Sequence, residues 1–337
     1  MKTFLRILAI TALVIIAFSI YIATRPSNYE VKRTKIIKAP LSLIYNTVNE
    51  YKTWNKWGPW RENDDTFTAD FSKTTTGENS GYSWKSRFEG DGSIKTLALK
   101  ENEAIEQLII TDRRGEAYSN WQFESVEDGT KITWIKKGSL DFNSKMFFMV
   151  LGNTEEVFGD ILEISLKELD TYIHSEMDKY SISNSGVVEY NGGYYIHLTT
   201  ECSFEEMGAK LDKMLPEVLI YSMKKSYPRA GDIFTLFHKY DEENKRVAFS
   251  SCIPVKERVN PEGEIALAFM ESGRYHKTTL QGAYKYSEEA WKKAFVFAKE
   301  DGHTIPENGK PFEVYRKGHT DSANPADWVT EIYLPID

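Results

Sequence analysis

At 337 residues the chain is long enough for two domains, and an aromatic content of 13% supplies large side chains for cores or for the walls of a cavity. Its formal charge of −8 argues against a nucleic-acid-binding protein, whose recognition face is ordinarily basic. The two cysteines, Cys202 and Cys252, form neither a disulfide framework nor a Cys/His metal spacing, which leaves at most one bridge between them in an oxidising compartment. Neither a metal nor a cofactor is expected.

Lys2 and Arg6 precede an uncharged apolar run from Ile7 to Ala23. As a helix this run is about 26 Å long at ~1.5 Å per residue, close to a hydrocarbon core of ~30 Å. Tyr21 stands near the interface, and Arg25-Pro26 ends the helix. The exit Y-I-A-T-R-P is a poor cleavage site, so residues 1–26 read as an uncleaved signal anchor in preference to a cleaved signal peptide. Positive charge at the N-terminus points that end to the cytoplasm and the remaining chain to the extracytoplasmic side, although Arg25, Lys32, Arg33 and Lys35 weaken the asymmetry.

After the anchor, Y-E-V-K-R-T-K-I-I-K-A-P alternates as a strand until Pro40. Leu41, Ile44, Val48 and Tyr51 then recur at helical spacing. A meander of strand-like pieces follows. Its clearest hairpin places Asp128-Gly129 in a tight turn, with Trp121 and Phe123 on one face of the first strand and Ile132 and Trp134 on one face of the second. From Asn153 onward Phe158, Ile161, Leu162, Leu166, Leu169 and Ile173 form the apolar stripe of a long helix. The stretch "VKRTKIIKAPLSLIYNTVNEYKTWNKWGPW", with Trp54, Trp57 and Trp60, resembles the opening of the START-related superfamily of lipid-transfer proteins and polyketide cyclases. "GNTEEVFGDILEISLKELDTYI" is similar to that superfamily's closing helix. For residues 29–177 the resemblance implies a helix-grip fold with a cavity between sheet and helix, and it implies no particular reaction.

The polar stretch 178–186 reads as the domain junction. Beyond it the chain repeats itself. G-G-Y-Y-I-H-L-T-T-E-C, a helix, G-D-I-F-T-L-F-H-K-Y and A-F-S-S-C-I-P-V make the first copy. S-G-R-Y-H-K-T-T-L-Q-G, a helix, G-K-P-F-E-V-Y-R-K-G and W-V-T-E-I-Y-L-P-I make the second. Ser203 with Glu206 forms a capping box for the first helix, and Ser287 is read as the cap of the second. Each copy is strand, helix, strand, strand; two copies side by side predict one sheet with a cleft at the seam. The fold class expected for the whole chain is α+β: one transmembrane helix, a helix-grip domain and this duplicated domain over 186–337.

Two Glu-x-Tyr pairs, Glu313 with Tyr315 and Glu331 with Tyr333, occupy strands of the second copy only. Aligned on G-x-x-F and x-P-aliphatic, Glu313 meets Thr235 and Glu331 meets Ser250. On adjacent antiparallel strands the pairs predict two carboxylates walled by rings, a setting that suits an organic cation through charge and cation–π attraction. The alternative from spacing alone is a solvated sheet face. Residues 186–337 resemble the gyrase-inhibitor-like effector-binding domain, on the duplicated unit, the closing hairpin "PFEVYRKG…WVTEIYLPI" and "GRYHKTTLQGAY". That resemblance implies a pocket in which Glu313 meets cationic aromatic ligands; by their location Tyr275, Trp291 and Tyr315 are candidates for its wall, with Glu331 and Tyr333 as further ligand-binding candidates. No helix-turn-helix segment precedes the module, so a role with nucleic acid is not expected.

The function expected is capture of a hydrophobic or cationic small molecule by a membrane-anchored protein. One alternative is a hydrolase of electrophilic small molecules with Glu313 as general base. The other is an envelope interaction module without catalysis. Nucleophile elbow, zinc-protease and phosphate-loop motifs do not occur, and His276 reads as a surface or rim residue.

Overall fold

A computed structural model describes residues 2–58, 66–87 and 90–337, and the chain divides into two compact units, Met1–Ser175 and Glu176–Asp337. The first unit begins with α1 (Lys2–Ala23), of which Thr3–Ala23 is long and apolar enough to cross a membrane. Strand β1 (Asn28–Ile37) follows, and its buried Val31 and Ile37 obey the expected alternation. The helical run read after Pro40 is broken into α2 (Leu41–Asn49) and α3 (Tyr51–Trp57). Glu50 breaks it. Its backbone is extended, and its carboxylate accepts the Lys52 N–H to cap α3; an N-cap of this kind contributes about 1 kcal/mol.

Strands β2 (Thr68–Phe71), β3 (Gly81–Lys85), β4 (Gly92–Lys100), β5 (Ala104–Thr111), β6 (Gly115–Val126) and β7 (Gly129–Ser139) form a meander, and β1 closes against β7 to complete a seven-stranded antiparallel sheet. In the β6–β7 hairpin Val126 pairs with Gly129, so the two-residue turn is Glu127-Asp128, one position earlier than the sequence suggested. Gly129 has φ +132°, and a Cβ there would lie 2.3 Å from the Ile37 carbonyl oxygen. Trp121 stacks on its cross-strand partner Trp134 with centroids 4.0 Å apart. Trp54 and Trp57 are buried core residues against this pair; Trp60 lies outside the described residues. The short helix α4 (Phe142–Leu151) leads into α5 (Thr154–Met177), whose buried side chains include Phe158, Leu162, Leu166, Leu169 and Ile173 of the predicted stripe, while Ile161 is half-buried. A cavity of about 30 Å³ lined by Tyr29, Trp84, Lys136 and Phe158 lies in this unit. It has room for little more than a water molecule, whereas a more open groove beside it, lined by Tyr29, Glu116, Tyr118 and Lys137, has a volume of about 550 Å³.

The second unit is the duplicated fold. Its first copy is β9 (Gly193–Ser203), α6 (Phe204–Lys224), β10 (Phe234–Asp241) and β11 (Arg246–Pro254). Its second is β13 (Gly273–Gln281), α7 (Ser287–Glu300), β14 (Phe312–Lys317) and β15 (Val329–Pro335). The capping box of Ser203 and Glu206 is present on α6. The expected cap of α7 is not: Tyr286 is its N-cap and Ser287 makes no capping hydrogen bond. Two further strands, β8 (Ser181–Tyr190) and β12 (Ala266–Met270), complete an eight-stranded sheet in the order β12-β9-β11-β10-β14-β15-β13-β8. Each precedes one copy in the chain and pairs with the first strand of the other. Most of the polar stretch 178–186 is therefore strand, because β8 finds its partner far along the chain in β13.

Candidate ligand-binding site

The antiparallel pair β10–β14 joins the two copies at the middle of the sheet, and in it Thr235 faces Glu313 directly. On the neighbouring strand Ser251 faces Thr235. Alternation puts this row on the same face as Phe237, Phe249 and Ile253, the face that packs against α6 and α7. A row of small hydroxyls and one carboxylate thus crosses an otherwise apolar layer.

Glu313 is only 4% exposed. Trp291 of α7 donates its Nε1–H to Oε2 at 2.9 Å, and Tyr315 donates its hydroxyl to Oε1 at 2.5 Å. With that proton spent on Glu313, the Tyr315 oxygen accepts from Thr235 Oγ1 at 2.9 Å. Among the described residues Glu313 has no cationic partner. Burial pushes its carboxyl above the ordinary range, and the hydrogen bonds from Tyr315 and Trp291 offset that only in part. Burial likewise pushes the Tyr315 hydroxyl well up, with the charge of Glu313 adding to it. Rings close the site: Phe237 meets Trp291 edge-on at 5.0 Å, and Tyr284 meets Tyr315 at 5.7 Å. Tyr284 is pushed up to about 12, by burial first and then by Glu313. The buried hydroxyls of Ser251 and of Thr330, the cross-strand partner of Tyr315, have no hydrogen-bond partner among the described residues.

The two Glu-x-Tyr pairs do not meet. Glu313 pairs with Ile332 and Glu331 with Val314, so the register sends Glu331 and Tyr333 to the opposite face from Glu313 and Tyr315. Tyr275 shares the far face, packed with Phe312 and Tyr333. There Glu331 is satisfied by Arg316 at 2.6 Å, Lys277 at 3.0 Å and the Tyr333 hydroxyl at 2.7 Å. Burial raises the Glu331 carboxyl, but the bonds from Tyr333, Arg316 and Lys277 together outweigh it and hold it below the ordinary range. Its counterpart Ser250 accepts from or donates to His238 at 2.7 Å. The far-face contact exists in both copies, as a neutral pair in the first and an ion pair in the second.

Of the six residues singled out in the sequence, Glu313, Tyr315 and Trp291 come together, whereas Glu331, Tyr333 and Tyr275 gather elsewhere. Thr235, Ser251, Thr330 and Tyr284 were not anticipated. The signal available for Ser251 was a small hydroxyl between Phe249 and Ile253 on an apolar register. His276 is buried, not at the surface, with Nε2 2.8 Å from Asp301 Oδ2. Cys202 and Cys252 are free thiols on opposite faces of the sheet, in separate core clusters; no bridge joins them.

Residues 193–337 match the family model described as the GyrI-like small molecule binding domain. No curated protein matches the chain. Solved structures similar to it include the EcmrR C-terminal domain, 19% identical, covering 47% of this chain and 98% of that one with a TM-score of 0.40. The EcmrR–DNA complex is 16% identical, with 59% and 86% covered and a TM-score of 0.39. SAV2435 bound to tetraphenylphosphonium is 12% identical, with 47% and 94% covered and a TM-score of 0.36. Over residues 193–337 the chain is thus similar to the GyrI-like small molecule binding domain.

Proposed function

We propose that the chain is a membrane-anchored receptor for a cationic aromatic small molecule, whose charge is set against Glu313. The observation that carries this reading is a buried carboxylate held by two neutral donors, Trp291 and Tyr315, and by no cation among the described residues. Such a group is costly as an anion unless a counter-charge joins it. A guest with a delocalised positive charge supplies that charge and meets the faces of Trp291, Tyr315 and Tyr284, each cation–π contact contributing about 0.5–2 kcal/mol. The hydroxyls of Ser251 and Thr330, without a hydrogen-bond partner among the described residues, offer polar contacts at the same level.

Membrane anchorage by α1, with the N-terminal end cytoplasmic, belongs to the same proposal, as does the START-related reading of residues 29–177. The latter is supported by the order of one strand, two short helices, six strands, a third short helix and a long helix.

A second reading uses the same carboxylate. A glutamate of raised proton affinity is fitted to act as a general base on an electrophilic guest.

Titration of tryptophan fluorescence with an aromatic phosphonium or quaternary ammonium cation tests the binding claim. Saturable quenching is expected, with affinity at least about tenfold weaker in Glu313→Gln, the equivalent of about 1.4 kcal/mol. An unchanged titration curve in that variant overturns the role of Glu313.

A further inference from the structure

Helix α4 has its apolar residues on the wrong side for a water-soluble surface. Ser144 and Phe148 face inward, and Phe148 packs on Phe158 of α5 at 5.2 Å. The outward side carries Phe142, Met146, Phe147, Met149 and Val150, between 41% and 81% exposed. Lys145 is the only charged residue in the helix. A contiguous apolar patch of this kind on a soluble domain marks an interaction site.

Its place in the fold says what covers it. α4 packs against the C-terminal end of α1, and Lys145 Nζ donates to the Ala23 carbonyl at 3.3 Å. Ala23 is the last residue of the segment able to cross a membrane, and Ile22 beside it is buried. Arg25, two residues beyond Ala23, lies over the Tyr21 ring at 4.4 Å. Both cations therefore stand where the apolar span ends, the level at which head groups begin, and α4 starts from that level.

From this continuity we infer that α4 lies in the membrane interface, with Phe142, Met146, Phe147, Met149 and Val150 among the upper acyl chains and Lys145 at the head groups. A helix that presents an apolar face at the interface lies in its plane, with that face buried ~5–10 Å deep. Contact at both α1 and α4 fixes the height and tilt of the first unit on the bilayer, which a single tethering helix does not. The inference rests on α1 being a membrane span and is independent of which side the domains occupy.

The test uses the full chain in nanodiscs of phosphatidylcholine and phosphatidylglycerol. The native cysteines are buried, so an environment-sensitive fluorophore labels cysteines introduced one at a time at Phe147, Met149, Leu13 or Lys100. Nitroxide-bearing lipids report contact. The expected result is roughly twofold quenching of the Phe147 and Met149 labels by a nitroxide near the head group, as for an interfacial helix. The Leu13 label is quenched by a deep one, and the Lys100 label by neither. If Leu13 is quenched while Phe147 and Met149 behave like Lys100, the α4 inference is overturned and the span stands. If Leu13 is not quenched, the span fails and the inference with it. Labels on α4 that are shielded from water yet indifferent to nitroxide lipid mean that a second copy of the chain covers the helix, which also overturns the inference.

Discussion

Thr235 and Glu313 stand directly opposite each other across β10 and β14, and they are equivalent positions of the two copies. Antiparallel pairing of equivalent strands brings equivalent residues face to face, so the seam is the place where a difference between copies is felt most. Here it is large. Thr235, Phe237 and Met207 of the first copy correspond to Glu313, Tyr315 and Trp291 of the second, and only the second set forms a hydrogen-bonded trio. A pseudo-symmetric scaffold thus holds an asymmetric polar site.

The energetic cost of that site has a pH signature. Below about pH 4.3 Glu313 is protonated whether the chain is folded or not, and burial carries no ionic penalty. As pH rises the unfolded chain releases its proton first, because the native carboxyl is held above the ordinary value. Stability therefore falls as pH climbs from that value to the native pKa, at about 1.4 kcal/mol per pH unit, and levels off beyond it. Glu313→Gln is expected to be more stable than the parent at pH 7.5 and nearly equal to it at pH 4, by urea unfolding at both. An equal difference at both pH values contradicts this account.

Ligand affinity has the opposite slope. A cation binds the ionised carboxylate, so its affinity rises about tenfold per pH unit up to the native pKa of Glu313 and is flat above it. Calorimetric titrations across pH 4–8 measure this. Mass spectrometry of the recovered guest separates binding from hydrolysis: the expected result is an intact ligand, and steady turnover that vanishes in Glu313→Gln establishes the general-base reading instead.

Glu331 is expected to serve the fold and not the ligand. Its carboxyl is held low by Tyr333, Arg316 and Lys277 against the effect of burial, so its contribution is present above the ordinary carboxyl pKa and fades as pH falls through the native one. Glu331→Gln is expected to destabilise the domain by about 1–3 kcal/mol at neutral pH while cation affinity changes less than about twofold. A large affinity loss with unchanged stability places Glu331 in the site after all.

In the first unit, Gly129→Ala puts a methyl group 2.3 Å from the Ile37 carbonyl oxygen at a φ of +132°. Strain of this kind costs about 1–3 kcal/mol or more, and denaturant unfolding of the first unit is the measurement. Gly115→Ala, also at positive φ but with open space around the added carbon, separates the two causes. Its loss is expected to be the smaller, about 1 kcal/mol.

Much of this molecule is written in local pattern. The apolar stripe of α5, the capping box of α6, the apolar length of α1 and the strand-helix-strand-strand repeat all depend on neighbours a few residues apart, and each is where the alternation or spacing places it. Glu313 stood out for the same reason, as a carboxylate in one copy where the other has threonine. What local pattern leaves open is which strands pair and in what register. A shift of one residue turns every side chain to the other face, and so Glu331, Tyr333 and Tyr275 part from Glu313 although all lie in one sheet. The exchange of β8 and β12 between copies, the arrival of Trp291 over Glu313 from a helix, and the row of Ser251 and Thr235 beside it are long-range matters of the same kind. Chain chemistry names the residues that carry charge, and only closure of the sheet around its central seam sets one of those charges among rings and hydroxyls, apart from the cations that satisfy the other.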